Sequence, residues 1–140
     1  MTIVIRPFAD ADREAAVALW NGCGLVVPWN DPTRDIARKI AQRRETFLVA
    51  EHDGRIVGTV MAGFDGHRGS LNYLAVDPNR RKQGIARRLM FEAERLLTAA
   101  GCPKINVMVR RSNLAAAGFY DALGYQPDDV VVYGKRLIID

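Results

Sequence analysis

Apolar and polar positions along this chain follow two rhythms, and the places where one gives way to the other mark the elements. "TIVIRPF" reads as a short opening strand. From there Ala16, Val17, Leu19 and Trp20 recur at helical spacing up to the break at "NGCG", with Asp10 as the expected cap. "LVVPWNDP" is a loop. Asp31-Pro32 then opens a second helix, Asp as cap and Pro in the first turn, which carries Ile36 and Ile40 to about Arg44. "TFLVAEHDGRIVGTVMAGF" is a hairpin, two β-rich runs joined at Asp53-Gly54, residues that tolerate positive φ. "SLNYLAV" is a further strand. A long helix follows Gly84, with Ile85, Leu89, Ala93, Leu96 and Leu97 on one face and Gly101 and Pro103 as its stop. "KINVMV" predicts a strand, "SNLAAAGFYDALG" a helix begun by Ser112/Asn113, and "DVVVYGKRLII" one or two closing strands. That order predicts an α/β (α+β) chain with a mixed sheet and a βαβ crossover through the long helix.

At 140 residues the chain has the length of one domain, 1–140, with a single core. Hydrophobic residues at 49% and charged residues at 26% are ordinary for a globular protein, and the net charge of +4 alone selects no partner. No apolar run has the length of a membrane span, so no membrane association and a cytoplasmic setting are expected. Cys23 and Cys102 match no metal-ligand spacing; no metal is expected, and both thiols read as buried and structural.

Charge becomes informative in "VDPNRRKQGIARRLM". Five cations, Arg80, Arg81, Lys82, Arg87 and Arg88, bracket Gly84 where the long helix begins. A helix start offers about four backbone N–H groups without internal partners, and a partial positive charge. A residue without a side chain lets a phosphate approach those amides, so the turn is a candidate anion site. Neither G-x-x-x-x-G-K-[ST] nor G-x-G-x-x-G after a strand is present. A nucleic-acid binder would spread its cations over a face with stacking aromatics between them, so no nucleic acid is expected as partner.

The segment "LAVDPNRRKQGIARRLM" resembles the acetyl-CoA-binding segment of the GCN5-related N-acetyltransferases (GNAT). There a strand ending V-x-P precedes [RQ]-x-x-G-x-[GA], matched by Arg81, Gly84 and Ala86. "NLAAAGFYDALGY" is similar to the family's second signature, through Asn113, Ala116, Phe119-Tyr120 and Gly124-Tyr125. More narrowly, "PWNDP", "GFDGHRGS" and "GCPKI" look like its YpeA-like branch. The resemblance implies the GNAT fold, a mostly antiparallel mixed sheet of six to seven strands flanked by about four helices. It also implies transfer of an acetyl group from acetyl-CoA to a primary amine of a small molecule or protein, by direct attack in a ternary complex.

Site residues follow from the same resemblance. The pyrophosphate would lie on the turn formed by Arg81, Lys82, Gln83, Gly84, Ile85, Ala86 and Arg87, its amides spanning about Gln83 to Arg88. The pantetheine arm would run along Leu74, Ala75 and Val76, an amide near Leu74 or Val76 receiving the oxyanion. Tyr120 would protonate the departing thiolate, though it also stands at core spacing from Ala116 and Leu123. Asn113 would bond the pantetheine or simply cap its helix. For the base, relatives often place a glutamate on the strand before the glycine turn; "SLNYLAV" offers Asn72 and Tyr73 but no carboxylate. His67 is the first substitute, with Glu51, Asp65 or a water chain as alternatives. Trp29, Asn30 and Asp31, with Trp20 behind them, would wall the acceptor pocket, or serve only as helix cap and core. Arg110 and Arg111 would approach the 3′-phosphate or lie on plain surface, and the arginines of the second helix read as a solvated face. A homodimer is compatible with this picture. The missing strand carboxylate keeps a second reading open, a noncatalytic acyl-CoA sensor on the same fold.

Overall fold

The computed structural model describes residues 2–140. Its strands are β1 (Val4–Pro7), β2 (Phe47–His52), β3 (Arg55–Phe64), β4 (Gly69–Val76) and β5 (Ile105–Asn106). Its α-helices are α1 (Arg13–Gly22), α2 (Pro32–Arg43), α3 (Ile85–Ala99) and α4 (Leu114–Ala122). The strands form one sheet in the order β1-β2-β3-β4-β5, antiparallel at the first three pairings and parallel between β4 and β5. The α3 crossover thus joins the parallel pair, as the element order predicts. Contacts divide the chain into two compact units: residues up to Asn106 together with Asp140, and Val107–Ile139.

Both faces of β3 are covered, and consecutive residues show how. Gly58 faces α3: a Cβ there would lie 2.9 Å from Leu89 Cδ1 and 3.0 Å from Ile85 Cγ2, so the absent side chain sets how closely helix meets sheet. Thr59 faces the other way and accepts a hydrogen bond from Trp20 Nε1 of α1 at 2.9 Å. This two-sided burial explains the near-continuous apolar run of β3. On the α1 side Phe8 stacks on Phe47 at 4.3 Å, and Trp20, fully buried, stacks on Tyr73 at 3.9 Å. On the other face Ile85, Leu89, Met90, Ala93 and Leu97 bury the apolar stripe of α3.

The hairpin turns at Asp53 (φ 49°) and Gly54 (φ 74°), as the residue pair demands. Asp31 caps α2 by accepting from the Thr33 amide at 2.9 Å. Four expectations need correction. Asp10 does not cap α1; it pairs with Arg44 at 2.7 Å. A 3-10 turn intervenes, held by the Asp12 carboxylate, which accepts from the Ala9 amide at 2.8 Å and from Arg6 at 2.7 Å. Among the described residues the sheet has five strands rather than six to seven. Only Ile105–Asn106 of "KINVMV" is strand, and "DVVVYGKRLII" forms none; Val131 and Tyr133 are 75% and 93% exposed. An alternating or β-branched run supplies the capacity for a strand, but a ladder exists only where a second backbone lies alongside. Both cysteines are half-buried rather than buried: Cys23 Sγ donates to Val76 O at 3.3 Å, and Cys102 Sγ lies where a Cβ on Gly69 would meet it.

Candidate functional site

The glycine turn and the end of β4 adjoin in the first unit. β4 ends at Val76, Asp77-Pro78 begins a 3-10 turn capped by the Asp77 carboxylate on the Asn79 amide at 3.0 Å, and the chain reverses into α3. Gly84 stands immediately before the helix at φ 79°, a left-handed conformation that any side chain strains, and Lys82 shares it at φ 64°. A Cβ on Gly84 would have no heavy atom within 4 Å, so the space above the turn is open. The first α3 hydrogen bond is Arg88 N to Gly84 O at 3.1 Å, which leaves the amides of Ile85, Ala86 and Arg87 without helical partners. Ile85 anchors the turn from beneath, 1% exposed, while Arg81, Lys82, Gln83 and Arg87 are exposed. Outward amides at a positive helix end, ringed by cations, form an anion cradle.

β4 presents an open edge beside that cradle. Its parallel ladder with β5 covers only Gly69–Ile105 and Ser70–Asn106, so on that edge no described strand flanks β4 from Leu71 to Val76. Its other side carries a bulge: Thr59 pairs with Ala75 and Met61 with Asn72, leaving Tyr73 and Leu74 together opposite Val60. Tyr73 adopts φ 53° there, which costs a non-glycine residue on the order of 1–3 kcal/mol. Thr59 Oγ1 steadies it by donating to Tyr73 O at 2.8 Å.

The displaced side chain of Tyr73 meets two residues from around the start of α2. Its hydroxyl donates to Asp35 Oδ2 at 2.6 Å, and Asn30 Nδ2 donates both to that carboxylate oxygen and to Tyr73 Oη, the latter at 3.1 Å. Arg38 Nη2 lies 3.6 Å from Asp35 Oδ1 and 2.7 Å from Asp140 Oδ2; Asp140 also accepts from the Asp31 amide at 3.2 Å. Burial, with the Asp35 carboxylate at its hydroxyl, pushes the Tyr73 pKa well above the ordinary tyrosine value, so the phenol keeps its proton. Of the residues expected to receive the acceptor, Asn30 therefore reaches β4, Asp31 serves as helix cap, Trp29 stands 59% exposed, and Trp20 is core. Nothing in the sequence marks the Asp35–Tyr73 contact. No carboxylate stands on β4, and one arrives from a helix 38 positions away.

His67 lies at the opposite end of β4. It is exposed in the hairpin loop, where its amide donates to Asp65 Oδ1 at 2.7 Å. Leu74 stands seven positions further along, roughly 23 Å on an extended strand, so the loop does not bring His67 to the bulge. Glu51 is engaged by Arg6 at 2.9 Å. A groove of about 660 Å³ between Ile3–Ile5 and the Arg87–Glu92 stretch of α3 is separate from the bulge. Among the described residues no group of three or more His, Cys, Asp or Glu is placed to hold a metal, and no helix is long and apolar enough to cross a membrane.

In the second unit, Asn113 caps α4, its Oδ1 accepting from the Ala116 amide at 3.0 Å. Tyr120 is half-buried, with edge-on contacts to Phe119 at 5.3 Å and Tyr125 at 5.5 Å. Desolvation raises its pKa, so it too holds its proton at neutral pH. Arg110 and Arg111 lie just before α4, Arg111 exposed.

Comparison with known proteins meets this geometry. The model of the acetyltransferase (GNAT) family matches residues 10–125, a span holding both the glycine turn and Tyr120. A Yersinia enterocolitica protein named an acetyltransferase is 51% identical over 136 residues, 97% of this chain and 96% of that protein. One from Pectobacterium atrosepticum, also named an acetyltransferase, is 52% identical over 136 residues with the same coverage. Among solved structures, the PaiA N-acetyltransferase of Thermoplasma acidophilum in complex with coenzyme A superposes with a TM-score of 0.79 at 20% identity, over 94% of each chain. The aminoglycoside acetyltransferase AAC(6')-Iy with a CoA bisubstrate analogue gives 0.77 at 21% identity, over 97% of this chain and 99% of that one. The fold is theirs, and the chain belongs to the acetyltransferase (GNAT) family of acyltransferases.

Proposed function

We propose that this acetyltransferase moves an acetyl group from acetyl-CoA to a primary amine by direct attack in a ternary complex. The observation that carries the reading is the α3 start: a glycine at φ 79°, open space above it, and three helix amides without helical partners. A diphosphate matches that cradle in charge and in its need for several donors at once. The unflanked edge of β4 suits the amide-bearing pantetheine, which would add to it as a strand does, along Leu74, Ala75 and Val76. A backbone amide near Leu74 or Val76 is the proposed donor to the oxyanion.

Tyr120 is the proposed acid for the CoA thiolate. A free thiol has a pKa of about 8.5, so the leaving sulfur takes a proton from a group that still carries one at neutral pH. Tyr120 carries such a proton, since the ordinary tyrosine value is about 10 and desolvation raises it further. Asn113 is proposed to contact the pantetheine through its Nδ2, because its Oδ1 is engaged by the Ala116 amide. No nucleophilic cysteine enters the scheme.

A screen of small amines and peptides with radiolabelled acetyl-CoA tests it. Labelled amide is expected, and Tyr120→Phe is expected to lower turnover about 10²-fold while leaving acetyl-CoA affinity unchanged in calorimetry. Binding of acetyl-CoA without any transfer would favour the sensor reading, and absence of binding would refute both.

A further inference from the structure

We infer that Asp35 and Tyr73 form the proton-accepting pair of the transfer reaction, with Asn30 holding their geometry. This rests on the proposed acetyl transfer to an amine and supplies the base that β4 lacks.

Three observations converge on it. A tyrosine in the middle of a strand is held at φ 53°, and the bulge turns its side chain out of the pairing pattern. The hydroxyl so placed has one defined partner for its proton, Asp35 Oδ2 at 2.6 Å, and one donor to its oxygen, Asn30 Nδ2 at 3.1 Å. One lone pair of Oη therefore remains to accept a further N–H. The neighbour of Tyr73 on the open strand edge is Leu74, at the proposed oxyanion donor. A base that works on the attacking nitrogen belongs within hydrogen-bond reach of that point.

Around the pair, α1 and β3 meet Tyr73 through uncharged Trp20 and Thr59, and the charged and titratable groups come from α2 with its approach and from β4. From α2 and its approach these are Asp31, Arg34, Asp35 and Arg38, and Asp140 packs against Arg38. From β4 there is Tyr73 alone. Arg38 is shared between Asp35 and Asp140, its shorter contact going to Asp140, so the Asp35 carboxylate keeps its short hydrogen bond to the phenol.

The step balances as follows. A neutral amine attacks the thioester carbon, the C–N bond forms, and the carbonyl oxygen becomes an oxyanion. The nitrogen of that adduct is cationic and far more acidic than the parent ammonium. It passes one proton to Tyr73 Oη, while Tyr73 passes its own to Asp35 Oδ2. The oxyanion collapses, the C–S bond breaks with its electron pair going to sulfur, and the thiolate is protonated by Tyr120. Asp35 returns its proton to water, and water reloads Tyr120. Tyr73 touches the reacting nitrogen and is a catalytic residue. Asp35 acts through it as a positioning and proton-accepting residue.

Two amines of similar size separate this from a structural role. In the benzylamine adduct the nitrogen holds its proton firmly and needs a base, whereas in the aniline adduct the proton leaves to water unaided. Tyr73→Phe keeps the ring on Trp20 and removes only the hydroxyl. With saturating acetyl-CoA, Tyr73→Phe and Asp35→Asn are each expected to lower kcat for benzylamine about 10²-fold and for aniline by less than about threefold. The double variant is expected to fall no further than either single one, since both changes cut one relay. Calorimetry with acetyl-CoA is expected to be unchanged throughout. Equal losses with the two amines, or no loss with benzylamine, would overturn the assignment. So would a wild-type protein that binds acetyl-CoA yet acetylates neither amine. Failure to bind acetyl-CoA would instead strike the proposed function itself. Should Asp35→Asn fail to fold, the benzylamine-to-aniline ratio of Tyr73→Phe decides alone.

Discussion

Replacing Gly84 separates the two reasons a glycine can stand at a helix start. Any L-residue at φ 79° incurs the left-handed penalty, about 1–2 kcal/mol. No steric cost adds to it, because a Cβ there meets no atom within 4 Å. Gly84→Ala should therefore lower stability by about 1–2 kcal/mol, a Tm shift of roughly 3–10 °C in a chain of this size. Gly84→Glu has the same backbone cost and adds a negative charge over the cradle. A carboxylate about 4 Å from one phosphate charge costs about 1 kcal/mol in water and about 4 kcal/mol at the effective dielectric of a protein surface. Because two phosphate charges are involved, CoA affinity should fall at least about 30-fold for Glu, against no more than about 10-fold for Ala. Calorimetric titration with CoA reads both variants, and pantetheine, which lacks the diphosphate, is the control whose weak binding neither should alter. If Gly84→Glu bound CoA as tightly as the wild type, or lost pantetheine and CoA in proportion, the anion-cradle argument would be wrong.

Two further predictions concern the scaffold. Thr59→Val leaves the fully buried indole N–H of Trp20 without its 2.9 Å acceptor and frees Tyr73 O from its 2.8 Å donor. Urea unfolding should show a loss of about 1–3 kcal/mol, largely restored by Thr59→Ser, and a change within about 0.5 kcal/mol would show that the polar chain through the bulge carries no weight. Asp12, hydrogen-bonded and ion-paired to Arg6, has its carboxyl pKa depressed. A depressed folded-state pKa gives stability that is present above the unfolded value of about 3.9 and lost as pH falls through the lower folded one. Asp12→Asn should cost about 1.5–3 kcal/mol at pH 7 and flatten the acid limb of the stability curve below about pH 4. An acid limb identical to that of the wild type would assign it to other carboxylates.

Local chemistry determined much of this protein within the sequence. Asp31-Pro32, Asp53-Gly54, Gly84 and Asn113 each specify a cap or turn through their own side chain or lack of one, and each stands where its chemistry requires. The anion cradle was legible for the same reason, since a glycine, a ring of cations and a helix start are contiguous in the chain. Pairing was not legible. "DVVVYGKRLII" has the composition of a strand and forms none, while β5 keeps only two residues, because a ladder depends on the backbone beside it. The same limit hid Asp35. Helical spacing marks it only as a polar residue in the first turn of α2, and β4 shows no carboxylate. The bulge opposite Val60 takes Tyr73 out of the pairing register, and its hydroxyl meets Asp35 at 2.6 Å. Residues near in sequence carry their own instructions, whereas those that meet across the fold acquire a partner only when the sheet and its helices have packed.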